Sequence, residues 1–501
     1  MLIAGRWEQA VKVIEVRNPQ DGTLVDTVPM ANAGQMRHAI DCAVEGGRHW
    51  RKAPTHERMR VLSEAAATIA RESEAFARTI ALEGIKTIRE ARAEVARCVE
   101  TLRISAEEAR RLDGETIRFD QVPGSERRKG FWTREPIGIV GAITPFNDPL
   151  NLVAHKVGPA LAAGNAVIVK PDSRTPLSAL KLAAALHEAG VPTGVLQVVT
   201  GPGSSVGVEL VRDPRVRLIS FTGGRETGER IMRDGGFKKY AMELGNNAPV
   251  IVLGDADLAE AAESIVSGAF WAAGQNCLHA QRILVHESVF DRLIPKLVAG
   301  AEHLRMGDKL DETTDMGPMI DEAAAARVEE MVEDALSQGA RCLTGGRREG
   351  SFFQPTLLDR VSPTARLYRE EVYGPVSLVQ PFAVLNEAIE QANAVEFGLQ
   401  AAIFTQDLDT AFQVSDELDY GGVIVNDSSD YRIDAMPFGG PKGSGLGREG
   451  VRFAMEEMSE PKLLSFRLKG VRVDSSSDRS EHLDPRREPQ RGSDERGPGA
   501  G

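Results

Sequence analysis

At 501 residues, 42% of them hydrophobic and 27% charged, the chain has the composition of an ordinary globular protein and is too long for one simple core, so two or three domains are expected. The 60 Lys and Arg against 73 Asp and Glu leave a net charge of -13, which disfavours nucleic acid and anionic membrane surfaces as partners. Four scattered cysteines (Cys42, Cys98, Cys277, Cys342) without a C-x-x-C pair suggest neither a zinc knuckle nor a disulfide framework, and fit a reducing cytoplasm.

The N-terminal MLIAGRWEQA lacks a sustained apolar core with a cleavage site, and no run of about 18 apolar residues occurs, so a soluble, unexported protein is expected. From about residue 34 to 112 the pattern is helical: Val95, Val99, Leu102, Ala106 and Ala109 fall at spacings of four, three, four and three, one apolar stripe. Residues 115 to 135 instead alternate apolar and polar around a Pro-Gly turn, the mark of a solvent-facing hairpin. Unalternating runs then follow, GIVGAI, AVIVK, VLQVV, RLISFTG and PVIVL, interleaved with helical stretches, which indicates a parallel sheet covered on both faces. A second βα series runs from about 249 to 445, with QRILV, VSLVQPF, AAIFT and GGVIVN as strands. Beyond about 471 the chain is rich in charge, Ser, Pro and Gly without an aromatic, and a disordered tail is expected.

Several segments at strand ends carry residues with chemistry. GPGSSVG (201 to 207) has its third glycine one position late for a dinucleotide loop and reads as a strand-helix turn. FTGGRETGERI places Gly223 and Gly224 between a strand and a helix, where backbone amides either make a plain turn or cradle a pyrophosphate. Lys170 closes the buried strand AVIVK, as a solvated strand end or a ligand contact. Glu243 in MELGNNAP is either a strand-edge ion-pair partner or, in apolar surroundings, a carboxyl of raised pKa suited to general base work. Asn147 in TPFNDPL serves a helix cap or an oxyanion donor. GGPKGSGLGREG lacks the Walker order and reads as a structural turn, and His155 and His279 have no partners at metal-ligand spacing, so no metal site is expected. Cys277 in GQNC stands between a helical stretch and a strand; a lone cysteine is ordinarily a small core residue.

The order of TPFN, VIVKP, FTGG, ELG, GQNC, EEVYGPV, FTQDLD and MPFGG is informative where each alone is not. From about residue 5 to 468 the chain closely resembles the aldehyde dehydrogenase superfamily. That resemblance implies an α/β subunit of two doubly wound domains plus a β-ribbon oligomerisation element. Residues 1-114 and 136-244 would form a cofactor-binding domain, 245-445 a catalytic domain, and 115-135 with 446-470 the ribbon and C-terminal strand. It further implies a homodimer or homotetramer, since a ribbon with exposed edges needs pairing. In the same match Cys277 corresponds to the nucleophile, Asn147 to the oxyanion donor and Glu243 to the base that releases a free acid. Lys170, Gly223, Gly224 and Glu371 correspond to NAD or NADP contacts, and Tyr373 takes a place usually filled by Phe. Ser173 stands where NAD-preferring relatives often carry Glu, and with Arg174 beside it the reading leans towards NADP.

Within the superfamily the resemblance is nearest to the branch of nonphosphorylating glyceraldehyde-3-phosphate, phosphonoacetaldehyde and lactaldehyde dehydrogenases. Arg97 and Arg432 match positions that hold a substrate anion in that branch, while Asn276 and Asp148 depart from its phosphate pattern. A short, anionic aldehyde, phosphonate or phosphate-bearing, is therefore expected as substrate. A neutral hydroxyaldehyde, or a nonenzymatic role on this scaffold, stands as the alternative.

Overall fold

The apolar runs without alternation are buried on both faces, and in the computed structural model, which describes residues 1–469 and Gly499, they form two sheets. Ile139–Ile143 (β1), Ala166–Lys170 (β2), Leu196–Val198 (β3), Val216–Thr222 (β4) and Lys239–Glu243 (β5) lie parallel in the order β3-β2-β1-β4-β5. The chain builds outward from β1 in one direction, then returns to place β4 on the other side of it. The reversal leaves a crevice beyond the carboxyl ends of β1 and β4, where open α/β sheets take ligands. Antiparallel additions, Leu2–Ile3 beside β3 and Gly445–Leu446 beside β5, help bring this sheet to eight strands.

The second sheet holds Pro249–Val252 (β6), Arg282–His286 (β7), Thr356–Asp359 (β8), Val376–Phe382 (β9), Gln400–Phe404 (β10) and Gly422–Val425 (β11). They are parallel in the order β8-β9-β7-β6-β10-β11, with Arg341–Thr344 antiparallel beside β8. Two strands, β5 and β8, were not anticipated. KYAME is half polar, with Lys239 and Tyr240 only partly buried, and TLLD is four residues long, so neither shows a period.

The striped helix spans Ile88–Glu108 (α1) and opens with a capping box in which Thr87 and Glu90 bond each other's backbone N-H. Its stripe buries Val95, Val99 and Leu102, each worth roughly 1.5–3 kcal/mol. They join one core with Asn151–Ala162 (α2), whose 12 residues are all buried.

The chain divides into two compact units, Met1–Gly114 with Thr133–Lys462, and Glu115–Trp132 with the segment from Leu463. Both sheets fall inside the first. The second carries the hairpin, with Glu115 opposite Trp132 and Thr116 opposite Phe131 in an antiparallel register. Apart from Gly499, the tail expected over 471–501 lies outside the described residues. Among the described residues no helix is long and apolar enough to cross a membrane, and no group of three or more His, Cys, Asp or Glu side chains is placed to hold a metal.

Candidate active site

The position of Cys277 follows from the turn before it. The helix Leu258–Phe270 (α3), capped by Asp257, gives way to Trp271–Gly274, in which Ala272, Ala273 and Gly274 have φ of 50°, 51° and 65°. Left-handed backbone costs an alanine about 1–2 kcal/mol, so the surroundings must impose it. They do so through Glu90, whose Oε1 accepts from Ala272 N at 2.7 Å, and through Gln275, whose Oε1 accepts from Ile320 N at 2.9 Å. Position 274 has room only for glycine, because a Cβ there would lie 2.2 Å from the Gly374 carbonyl oxygen. The turn delivers Cys277 to the wall of a cavity just before β7 begins.

That cavity, about 690 Å³, sits beyond the carboxyl ends of β1, β2, β4 and β5. Cys277, Glu243, Asn147 and Arg432 all line it. Asn147 Oδ1 and Glu243 Oε2 are among the buried atoms there that lack a hydrogen-bond partner among the described residues, and buried polar atoms left this way point to a molecule that completes the site. Burial pushes the Cys277 thiol up to about 12; Arg432 pulls it down, while Glu371, Glu243 and Glu449 push further up. Burial, then Glu449, hold the Glu243 carboxyl well above the usual range, against Arg432, Lys156 and Arg448. Burial thus disfavours the ionised form of both groups in the free protein.

The expected cofactor residues share the same cavity. Lys170, Gly223, Gly224, Glu371 and Tyr373 line it, and Gly224 precedes the helix Arg225–Gly235 with open space where a side chain would stand. The hydroxyls of Thr144 and Thr222 are buried there without partners among the described residues. Glu371 accepts from Asn246 N at 2.9 Å, and burial raises it to about 7. A side chain at position 245 would lie 2.6 Å from Glu371 Oε2, so Gly245 makes the space for that carboxyl. Tyr373, itself at φ 47°, meets Phe146 edge-on at 5.8 Å, and Arg174 covers the same Phe146 ring at 4.4 Å. Free helix-start amides, orphaned hydroxyls and a basic strand end suit a nicotinamide dinucleotide.

Two expected residues are placed differently. Ser173 does not line the cavity; its hydroxyl bonds Gly201 O at 3.2 Å, and the lining carboxylate is its neighbour Asp172. Arg174 is not free beside it, because it pairs with Asp172 and also with Asp321 at 3.2 Å. Arg97 likewise does not line the cavity. Its guanidinium pairs with Asp434 at 2.7 Å and lies 3.7 Å from Asp148, so much of its charge is already matched.

Four residues that sequence reading did not single out for a role complete the surroundings. His155 bonds Asp434 at 2.8 Å, and Lys156 donates to Glu449 at 2.9 Å. Arg432 reaches the other Glu449 oxygen at 3.0 Å and lies 3.6 Å above the Phe438 ring. Although burial works against it, Lys156 and Arg432 hold Glu449 well below the usual carboxylate range. GLGREG, read as a turn, therefore contributes a buried anion; the only signal was an acid directly ahead of an apolar helix start.

The sequence model of the aldehyde dehydrogenase family matches residues 7–464. Aspartate-semialdehyde dehydrogenase 1 of Pseudomonas canavaninivorans is 50% identical over 457 residues, covering 91% of this chain and 97% of that protein. The 3-sulfolactaldehyde dehydrogenase of Priestia megaterium is 42% identical over 468 residues, covering 93% and 98%. The crystal structure of glyceraldehyde-3-phosphate dehydrogenase GapN from Methanocaldococcus jannaschii complexed with NADP superposes with a TM-score of 0.88 at 40% identity, covering 92% of this chain and 100% of that one. This chain belongs to the aldehyde dehydrogenase family and is an NAD(P)-dependent enzyme that oxidises aldehydes.

Proposed function

We propose that the enzyme converts a short aldehyde bearing one negative charge to its carboxylic acid, with the first sheet holding the dinucleotide and the second presenting the nucleophile. The observation that carries the substrate reading is Arg432, a buried guanidinium on the same cavity as Cys277, whose Nε has no hydrogen-bond partner among the described residues. Arg97, matched by Asp434 and close to Asp148, adds little net positive charge. One effective cation favours a carboxylate or sulfonate over a doubly charged phosphonate or phosphate. The three relatives above are named for aldehydes that carry a carboxylate, a sulfonate and a phosphate.

In this reading the Cys277 thiol loses its proton and its sulfur attacks the aldehyde carbon, forming a thiohemiacetal. Asn147 and the backbone N-H of Cys277 receive the oxyanion. A nicotinamide dinucleotide held by Lys170, Gly223, Gly224 and Glu371 supplies the hydride acceptor when bound. Glu243, once deprotonated, takes a proton from the water that releases the acid from Cys277.

The test is initial NADH and NADPH formation with succinate semialdehyde, phosphonoacetaldehyde, lactaldehyde and propanal. A kcat/KM at least about tenfold higher for succinate semialdehyde than for the other three is expected, which is about 1.4 kcal/mol of discrimination. A preference for phosphonoacetaldehyde would restore a full anion clamp, and a preference for lactaldehyde or propanal would make Arg432 structural.

A further inference from the structure

One part of the Cys277 cavity is walled by two helical segments that pack against each other. The helix Arg225–Gly235, which starts directly after Gly224, turns one face to it, since Thr227, Arg230, Ile231 and Asp234 fall at spacings of three, one and three and all line the cavity. The helical stretch 203–212 contributes Gly207, Val208 and Val211. A Cβ at Gly203, Gly207 or Gly224 would meet nothing within 4 Å, so these walls enclose an open, largely apolar slot. With a pyrophosphate at the helix start and the nicotinamide towards Cys277, the adenosine end of a dinucleotide falls to this slot.

The charges around it are unevenly matched. Four cations line the whole cavity, and two of them are already paired, Arg432 with Glu449, and Arg174 with Asp172 and Asp321. Lys170 and Arg230 form no ion pair among the described residues, and of these Lys170 is buried at the end of β2 whereas Arg230 is exposed on the rim of the slot. Arg230 Nη2 lies 3.5 Å from Thr227 Oγ1, so the guanidinium leans back along the helix towards Gly224. The acid on the same helix face, Asp234, is taken by Arg212 at 3.1 Å. Asp172 accepts from Arg174 with both oxygens at 3.0 Å, which matches its charge and occupies the groups that would otherwise take ribose hydroxyls. The slot therefore carries an unmatched guanidinium at the end of the dinucleotide where NADP differs from NAD by one phosphate. An Arg fork holds a phosphate through two hydrogen bonds.

We infer that Arg230 selects the dinucleotide by binding the 2′-phosphate of NADP, so that a preference for NADP resides on the helix Arg225–Gly235 rather than on Ser173 and Arg174. The inference rests on the reading that the first sheet holds the dinucleotide.

The test is calorimetric titration of the full chain with NADP, NAD, 2′,5′-ADP and 5′-AMP, for the wild type and the Arg230→Gln and Arg230→Lys variants. In the wild type, NADP is expected to bind at least about tenfold more tightly than NAD, and 2′,5′-ADP more tightly than 5′-AMP by a similar factor. Arg230→Gln should reduce both ratios to about threefold or less, and Arg230→Lys, which keeps the charge but not the fork, should fall between. Wild-type ratios near or below one overturn the inference without any variant having to fold. Ratios that survive in Arg230→Gln overturn the assignment to Arg230; if both dinucleotides weaken equally there, the guanidinium covers the adenine instead. Binding of neither dinucleotide overturns the reading of the first sheet itself, so the two failures are distinguishable.

Discussion

At the scale of single residues, burial in the free enzyme disfavours the ionised forms of both reactive groups. Burial raises Cys277 to about 12 and holds Glu243 well above its ordinary range, and a raised pKa means that the thiolate and the carboxylate become populated only as pH rises. Alkylation of Cys277 by iodoacetamide, followed peptide by peptide in the absence of dinucleotide, should therefore climb from pH 7 to 10 without a plateau. A plateau near pH 8 would mean that a cation outweighs burial in setting the thiol. Steady-state kcat should likewise rise with pH above the range in which an ordinary carboxylate titrates, and Glu243→Gln should flatten that limb and lower kcat by about 10²–10⁴-fold. An undiminished first-turnover burst in that variant would place Glu243 after hydride transfer; loss of the burst would place it earlier. Cys277, Glu243 and Asn147 were legible as a family pattern, although each alone had an ordinary structural reading. The pairing of Arg97 with Asp434, 337 residues away, was not legible, because no local pattern encodes such a separation.

At the scale of elements the nucleophile depends on a turn that its own sequence disfavours. Ala272 and Ala273 are held left-handed by Glu90 from α1, which lies 182 residues earlier and is itself fixed by the capping box with Thr87. Gly274→Ala would drive a methyl against the Gly374 carbonyl, so it should destabilise the protein by more than about 1 kcal/mol and displace Cys277. Thermal denaturation and Cys277 alkylation should change together; a variant with normal melting and normal labelling would show that the turn tolerates a side chain. The capping box and the stripe of α1 were readable because both are local and periodic. The turn was not, since alanine signals helix and only the tertiary hydrogen bond overrides it. The same reason hid β5 and β8, which are defined by their neighbours in the sheets.

At the scale of the whole molecule the second unit leaves apolar surface uncovered. Ser459–Arg467 forms the edge of a three-stranded sheet, and on it Leu463, Leu464 and Phe466 are exposed, as is Phe131 on the strand Arg128–Pro136 beside it. An exposed apolar edge of this kind invites pairing with another chain. We propose that a second copy of this chain covers it, which requires a self-complementary patch rather than opposite charges, because each copy carries -13. Salt then discriminates between the two origins of association. Apolar pairing between like-charged copies strengthens or holds as salt screens their repulsion, whereas ionic pairing weakens. Light scattering after size exclusion should give at least twice the mass of one chain at both about 0.05 M and about 0.5 M salt, ionic strengths with Debye lengths of about 14 Å and 4 Å. Replacing Leu464 and Phe466 with Glu should shift the population towards the single chain while leaving the Cys277 cavity, which belongs to the first unit, competent for labelling. A mass that halves at high salt, or that the double replacement leaves unchanged, would locate the self-contact elsewhere.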